Sequence, residues 1–209
     1  MTVDYWNKTH TEKYSKADWA YKPSIFAEQI VQFLPKTGRL LEIGTGQGGD
    51  ADYFQSLGYQ VIATDYSDEA IKNARDRVKK VEFMNLDTSE GLPFEDESFE
   101  VVYSHMALHY FDAETTAKIM RDIHRVLKPN GIFATITNTM NDPEKEDYDY
   151  IELEPGYYQD PKGIKKRYFS VESMEGFTKN LFQPIILGAD GTTYKDVDPD
   201  LTRFIGKKI

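Results

Sequence analysis

Apolar positions recur along the chain in short runs separated by polar, glycine-bearing breaks, and the period of the runs changes from one stretch to the next. Ile25, Phe26, Ile30, Val31 and Phe33 fall largely on one face at helical spacing. This predicts a short helix over 23–34, with Pro23 near its first turn and Pro35-Lys36-Thr37-Gly38 ending it. From there, apolar runs predict strands near 39–44, 60–65, 81–86, 99–104 and 131–138, and the stretches between them predict helices near 48–57, 68–79 and 113–127. Ser67, followed by Asp68 and Glu69 in the next turn, is a helix start with its own cap and favourable charges. Strands alternating with helices imply an α/β chain with a parallel sheet covered on both faces.

After Asn138 the alternation fails. Residues 139–169 carry Tyr148, Tyr150, Tyr157, Tyr158 and Tyr168 among many acids, with turns marked by Pro155-Gly156 and Pro161-Lys162-Gly163, so a hairpin is predicted near 150–168. Ser170 then caps a helix running to about Asn180, and last strands are predicted near 184–188 and 201–206. Long insertions in compact domains are usually functional or disordered, and the aromatic content of this one favours a lid.

The run Leu40 to Ile43 breaks into Gly44, Gly46, Gly48 and Gly49 before a helix begins. Glycines at this spacing permit positive φ and close approach of a ligand to backbone. Gly44, Gly46 and Gly49 also satisfy the dinucleotide fingerprint G-x-G-x-x-G, so that pattern alone leaves two readings open. Glu42, two residues before the first glycine, separates them. An ionised carboxylate at the end of a buried strand is costly without a partner; a ligand ammonium supplies one, whereas a pyrophosphate is repelled.

Glu42-x-Gly44-x-Gly46-x-Gly48 resembles the first motif of the class I S-adenosylmethionine-dependent methyltransferases, of the small-molecule type. Further similarities follow in order: Val61 to Asp65, a second strand ending in an acid; Val81 to Asp87, followed by Gly91-Leu92-Pro93-Phe94; Ser98 to Ser104, similar to the fourth strand; and His124 to Phe133, similar to the lead-in to the fifth. The resemblance covers roughly 36–138. It implies a Rossmann-like seven-stranded sheet, mostly parallel with one antiparallel strand, with helices on both faces. It also implies one domain over 1–209: an N-terminal helical cap (1–35), a cofactor-binding core (36–138), a substrate lid (139–169) and a C-terminal helix with strands (170–209).

What the resemblance implies for residues is specific. Asp65 would accept from the ribose diol of S-adenosylmethionine, with Tyr66 against the adenine. Asp87 would accept from the adenine amine, with Leu86 and Thr88 lining the ring. Glu42 would lie in the region of the methionine ammonium, and Ser104 would place backbone near the sulfonium. His105 and His109, just after the fourth strand, are the candidate catalytic side chains, since neutral imidazole near pH 7 can take a proton. A structural role explains both histidines as well, and the acids have an ordinary alternative as turn or capping residues. The aromatics Tyr5, Trp6, Tyr14, Trp19 and Tyr21 would fold over the cofactor or pack on the sheet edge.

Composition removes several chemistries. With 25 basic and 35 acidic residues the net charge is −10, which argues against a nucleic-acid backbone as partner. The basic stretch Lys162, Lys165, Lys166 and Arg167 reads as a solvated turn. No cysteine is present, which excludes disulfides, thiolate nucleophiles and cysteine-ligated zinc. The segment Ser104-His105-Met106-Ala107 lacks the Asp/Asn-Pro-Pro-Tyr/Phe sequence that holds a flipped base in amino-methylating DNA enzymes. No metal is expected. Neither a signal peptide nor an apolar run of ~20 residues is found, so a cytoplasmic protein is expected. The reading is methyl transfer to a small-molecule acceptor. Its rivals are a non-catalytic S-adenosylmethionine-binding regulator and an NAD-dependent oxidoreductase.

Overall fold

The computed structural model describes residues 2–139, 149–193 and 201–209. Strands β1 (Arg39–Ile43), β2 (Gln60–Asp65), β3 (Glu82–Asn85), β4 (Phe99–His105), β5 (Leu127–Thr137), β9 (Phe182–Gly191) and β10 (Leu201–Lys208) form one sheet in the order β3-β2-β1-β4-β5-β10-β9. β1 to β5 pair in parallel, and β10 is antiparallel to both neighbours, β5 and β9. This is the seven-stranded sheet with one antiparallel strand that the resemblance implied.

Helices α1 (Val3–Glu12), α2 (Ile25–Ile30), α3 (Gly49–Ser56), α4 (Asp68–Arg77), α5 (Ala113–Val126) and α6 (Val171–Thr178) cover the sheet. Leu40, Val61, Ala63, Val101 and Tyr103 belong to one core cluster with Phe26, Phe54 and Ala74, from α2, α3 and α4. Leu41, Ile43, Ile62 and Val102 belong to the other, with Ile119, Ile123 and Met174 from α5 and α6. Side chains alternate across a strand, so each strand serves both cores.

Ser67 and Ser170 cap α4 and α6 as predicted, each accepting from the backbone amide three residues on, at 3.1 Å in both. Several elements differ from expectation. The cap of α2 is Ser24, accepting from Ala27 N at 3.0 Å, which places Pro23 outside the helix. β5 begins at Leu127, four residues early; its pairing with β4 is interrupted, and Asn130 turns through φ +65° before the main run. In the tyrosine-rich insertion there is a three-stranded antiparallel sheet, β6 (Ile151–Glu154), β7 (Tyr157–Gln159) and β8 (Lys165–Arg167), in place of the two-stranded hairpin.

The basic stretch is not wholly a solvated turn. Arg167 is 3% exposed, donating to Phe111 O at 3.1 Å and Pro155 O at 3.2 Å and pairing with Glu154. Its backbone amide donates to His109 O at 2.7 Å. Glu154 in turn accepts from Ala113 N, the first residue of α5, at 2.6 Å. The small sheet is thereby tied to the segment after β4. Tyr148 and the rest of 140–148 lie outside the described residues.

Candidate active site

Alternation and register bring three candidate side chains to one face. Glu42 pairs with Ala63 on β2 and Tyr103 on β4, and shares the Leu40 side of β1. Asp65 lies on the Ala63 side of β2, and His105 on the Tyr103 side of β4. Asp65 and His105 end their strands and Glu42 is the last residue but one of β1, all on the face covered by α2, α3 and α4, at the carboxyl ends where open α/β sheets bind ligands. A cavity of about 750 Å³ opens there, lined by Glu42, Gly44, Gly46, Asp65, Tyr66, Asp87, Thr88, His105 and His109 among others.

Two predicted residues do not line it. Ser104 has the opposite parity, on the Val102 side, is fully buried, and donates its hydroxyl to Ile43 O at 3.0 Å. Gly48, at φ +81°, is the residue before α3, and a Cβ there would meet Ala74 and Phe83 at 3.2 and 3.3 Å. Gly44 is also a packing glycine, since its Cβ would lie 2.2 Å from that of Ala107. Gly46 differs: at φ +54°, its Cβ would meet only His10 Cε1, at 3.5 Å. Close approach of chain segments therefore accounts for Gly44 and Gly48, whereas Gly46 lines the cavity with no backbone or core side chain against it.

Four of the loop amides are engaged inside the protein. Gly44 N and Thr45 N both donate to Thr64 O, Gly48 N donates to Thr45 O at 3.0 Å, and Gly46 N donates to Asp65 Oδ2 at 2.8 Å. Asp65 Oδ1 accepts from Ser67 N at 2.9 Å. Asp87 Oδ1 accepts from Ser89 N and Ser89 Oγ, at 2.9 and 2.6 Å.

Glu42 is 2% exposed and accepts from Thr45 Oγ1 at 3.1 Å. Burial holds its carboxyl well above the usual carboxylate range; the neighbouring Asp50 and Asp65 add to this, and the Thr45 hydrogen bond opposes it. Burial likewise pushes His109 down to about 3, helped by the Lys166 ammonium and by His105, so this imidazole is neutral at pH 7.

Sequence reasoning missed Asp50 and His10. Asp50 is 4% exposed at the start of α3 and accepts from Ser24 N, Ser24 Oγ and Tyr103 OH at 2.6, 2.9 and 2.6 Å. Its signal was available: Asp50 and Phe54, four apart, share the buried face of a short helix. His10, 5% exposed, lies 3.0 Å from Gln47 through Nδ1 and so joins α1 to the glycine loop. Burial lowers its pKa, with Asp65 opposing. Of the N-terminal aromatics, Trp6, Tyr14 and Trp19 line the cavity, whereas Tyr21 packs under the Arg77 guanidinium, 3.4 Å from its ring centre. From the insertion, Tyr157 and Lys166 line the cavity. No helix among the described residues is long and apolar enough to cross a membrane.

Residues 41–135 match the family model described as a methyltransferase domain. A probable S-adenosylmethionine-dependent methyltransferase of Mycobacterium tuberculosis is 35% identical over 99 residues, covering 47% of this chain and 35% of that protein. An uncharacterized methyltransferase-like protein of Schizosaccharomyces pombe is 32% identical over 141 residues, covering 65% of this chain and 52% of that one. The chain thus spans only part of the length of the relatives it matches. Among solved structures, the 1,6-didemethyltoxoflavin-N1-methyltransferase of Burkholderia thailandensis, with its named substrate and S-adenosylhomocysteine bound, superposes with a TM-score of 0.74 at 18% identity, covering 98% of this chain and 85% of that one. At that identity the likeness is one of fold.

Proposed function

We propose that this chain, which carries a methyltransferase domain over residues 41–135, transfers a methyl group from S-adenosylmethionine to a small-molecule acceptor by in-line displacement. The observation that carries the reading is the cavity end around Glu42. A buried carboxyl there accepts from the Thr45 hydroxyl, Asp65 and Asp87 line the same cavity, and the amides of Gly44, Thr45, Gly46 and Gly48 are engaged within the protein. Such a wall suits a ligand bearing an ammonium, a diol and an amine. It does not suit a pyrophosphate, which these carboxyls repel; among the described lining residues Lys166 is the one lysine or arginine.

In this reading the Glu42 carboxylate faces the ammonium, and Asp65 accepts from the ribose hydroxyls with the lone pairs that Gly46 and Ser67 leave. Asp87 uses its second oxygen for the adenine amine, with Leu86, Thr88 and Tyr66 around the ring. When bound, S-adenosylmethionine supplies a methyl electrophile on a sulfonium centre. What the protein contributes is alignment and exclusion of water. Trp6, Tyr14 and Trp19 from the 1–35 cap, and Tyr157 from the 139–169 insertion, close the cavity over the reacting groups, and the acceptor enters between them and His105. We assign Gly46, rather than Gly44 or Gly48, as the glycine in contact with the cofactor.

Calorimetric titration with S-adenosylhomocysteine and, separately, NAD tests the assignment. Saturable binding of the first and none of the second is expected, and the reverse would overturn it. A turnover screen with labelled S-adenosylmethionine follows; binding without transfer to any acceptor would favour a non-catalytic regulator.

A further inference from the structure

Tyr103 and His105 are two apart on β4 and point to the same side of the sheet, toward the first turn of α3. There Asp50 Oδ2 accepts from Tyr103 OH at 2.6 Å and lies 4.0 Å from His105 Nδ1. The other oxygen of Asp50 accepts from Ser24 N at 2.6 Å, and Ser24 Oγ donates to Oδ2 at 2.9 Å. The side chains of Asp50 and His105 are only 4% and 9% exposed, yet both residues line the cavity. Methyl transfer as such needs no second buried carboxylate here, and the cofactor assignments above give Asp50 no role.

We propose that His105 is the general base of this site and that Asp50 is its positioning residue, so that the acceptor is a molecule whose nucleophile arrives protonated: a phenol, a thiol or an ammonium. The proposal rests on the methyl-transfer reading. In the step, the acceptor gives its proton to His105 Nδ1, its freed electron pair forms the new bond to the methyl carbon, and the broken S–CH₃ pair returns to sulfur. Products are the methylated acceptor, S-adenosylhomocysteine and imidazolium, which later loses its proton to water.

The carboxylate stabilises the imidazolium through its charge, 4.0 Å from Nδ1. Three donors hold the Asp50 carboxyl in place at that depth, and two of them belong to Ser24. Seating of the segment before α2 is therefore a condition for a competent base. Other titratable groups around the pair are Glu42 on β1, Tyr103 on β4, and His109 after β4, with Lys166 on β8 beyond it. Burial first, and then the charge of Asp50, hold the Tyr103 hydroxyl well above its usual range, so it stays a donor. His109 is neutral at the working pH.

The test is an NMR titration of His105 in the full-length protein, where four histidines make assignment by single substitution practical. Asp50→Asn should lower the His105 midpoint by about one pH unit, a ten-fold change in its proton affinity. Tyr103→Phe, which strips a donor from the carboxylate, should raise it. Opposite shifts are the signature of charge coupling, since a purely structural disturbance would not reverse sign between the two variants. An unmoved midpoint in both, with native circular dichroism, overturns the pair. A panel of phenols, thiols and amines is then assayed, and the acid limb of kcat should follow the measured midpoint through wild type and both variants. A limb that ignores the midpoint, or no product from any panel member, overturns the base assignment. Titration with S-adenosylhomocysteine is read separately: its failure sinks the methyl-transfer reading even if the His105 midpoints shift as stated.

Discussion

The backbone amide of Gly46 donates to Asp65 Oδ2 at 2.8 Å, so the acid that ends β2 holds in place the glycine loop that follows β1. One carboxylate thus shapes the loop and presents its remaining lone pairs to the cavity. Positioning of the cofactor's sugar and of the loop beneath its methionine end are therefore coupled in the proposed site.

Replacing Asp65 should reveal both roles. Asp65→Ala is expected to weaken S-adenosylhomocysteine at least about ten-fold, from loss of a charged acceptor worth roughly 1.5–3 kcal/mol. Asp65→Asn keeps one acceptor oxygen and should lose less. Calorimetry with circular dichroism as a fold control decides this; unchanged affinity in folded Asp65→Ala would remove the residue from the site.

The glycines should separate by consequence. Gly44→Ala drives a methyl into Ala107 and should lower the melting temperature, by a cost of roughly 1–3 kcal/mol. Gly46→Val meets no such obstacle beyond its φ of +54° and the nearby His10 ring, and is expected to retain the fold and lose S-adenosylhomocysteine binding. Normal affinity in folded Gly46→Val would show that the ligand does not approach this glycine.

Glu42 should trade stability for binding. Its native pKa is raised above the ordinary 4.5, so its favourable share is complete below that value and is lost as pH climbs through the native one. Glu42→Gln should therefore melt higher than wild type in the ligand-free state at pH 8, gain little at pH 4, and bind S-adenosylmethionine more weakly. Thermal scans at the two pH values check the sign.

His109 carries the opposite dependence on acid. With a native value of about 3 against an ordinary 6.5, the unfolded chain takes up the proton first, and stability falls as pH drops from 6.5 toward 3. His109→Gln should flatten that part of the acid-denaturation curve. A curve superposing on wild type would contradict a buried neutral imidazole.

Arg167 ties the small sheet to the segment after β4. Arg167→Ala removes the donor to Pro155 O, one of the two donors to Phe111 O and the ion-pair partner of Glu154, and should cost about 2 kcal/mol or more. Hydrogen exchange should quicken at Tyr157 and Tyr158, while S-adenosylhomocysteine affinity changes little. Equal exchange in both proteins would mean that the sheet is held by other contacts.

Much of this was legible along the chain. Each of the strands β1 to β5 was visible as an apolar run, Ser67 and Ser170 announced their helices, and the break after Ile43 marked the turn on which the proposed site is built, because these features follow from periodicity and capping within a few residues. Strand alternation also separates Glu42, Asp65 and His105 from Ser104, so the burial of Ser104 against Ile43 was deducible. What the chain by itself left undecided was which distant groups meet. Ser24 and Asp50 are 26 positions apart and Asp50 and Tyr103 are 53 apart. The register of β1 against β4 and the seating of α3 bring them together. Arg167 looks solvated in a run of lysines until the fold places carbonyls and a carboxylate around it. Local pattern determines which elements form and which face each presents; the packing of those faces decides which polar groups lose water together, and so which of them become a site.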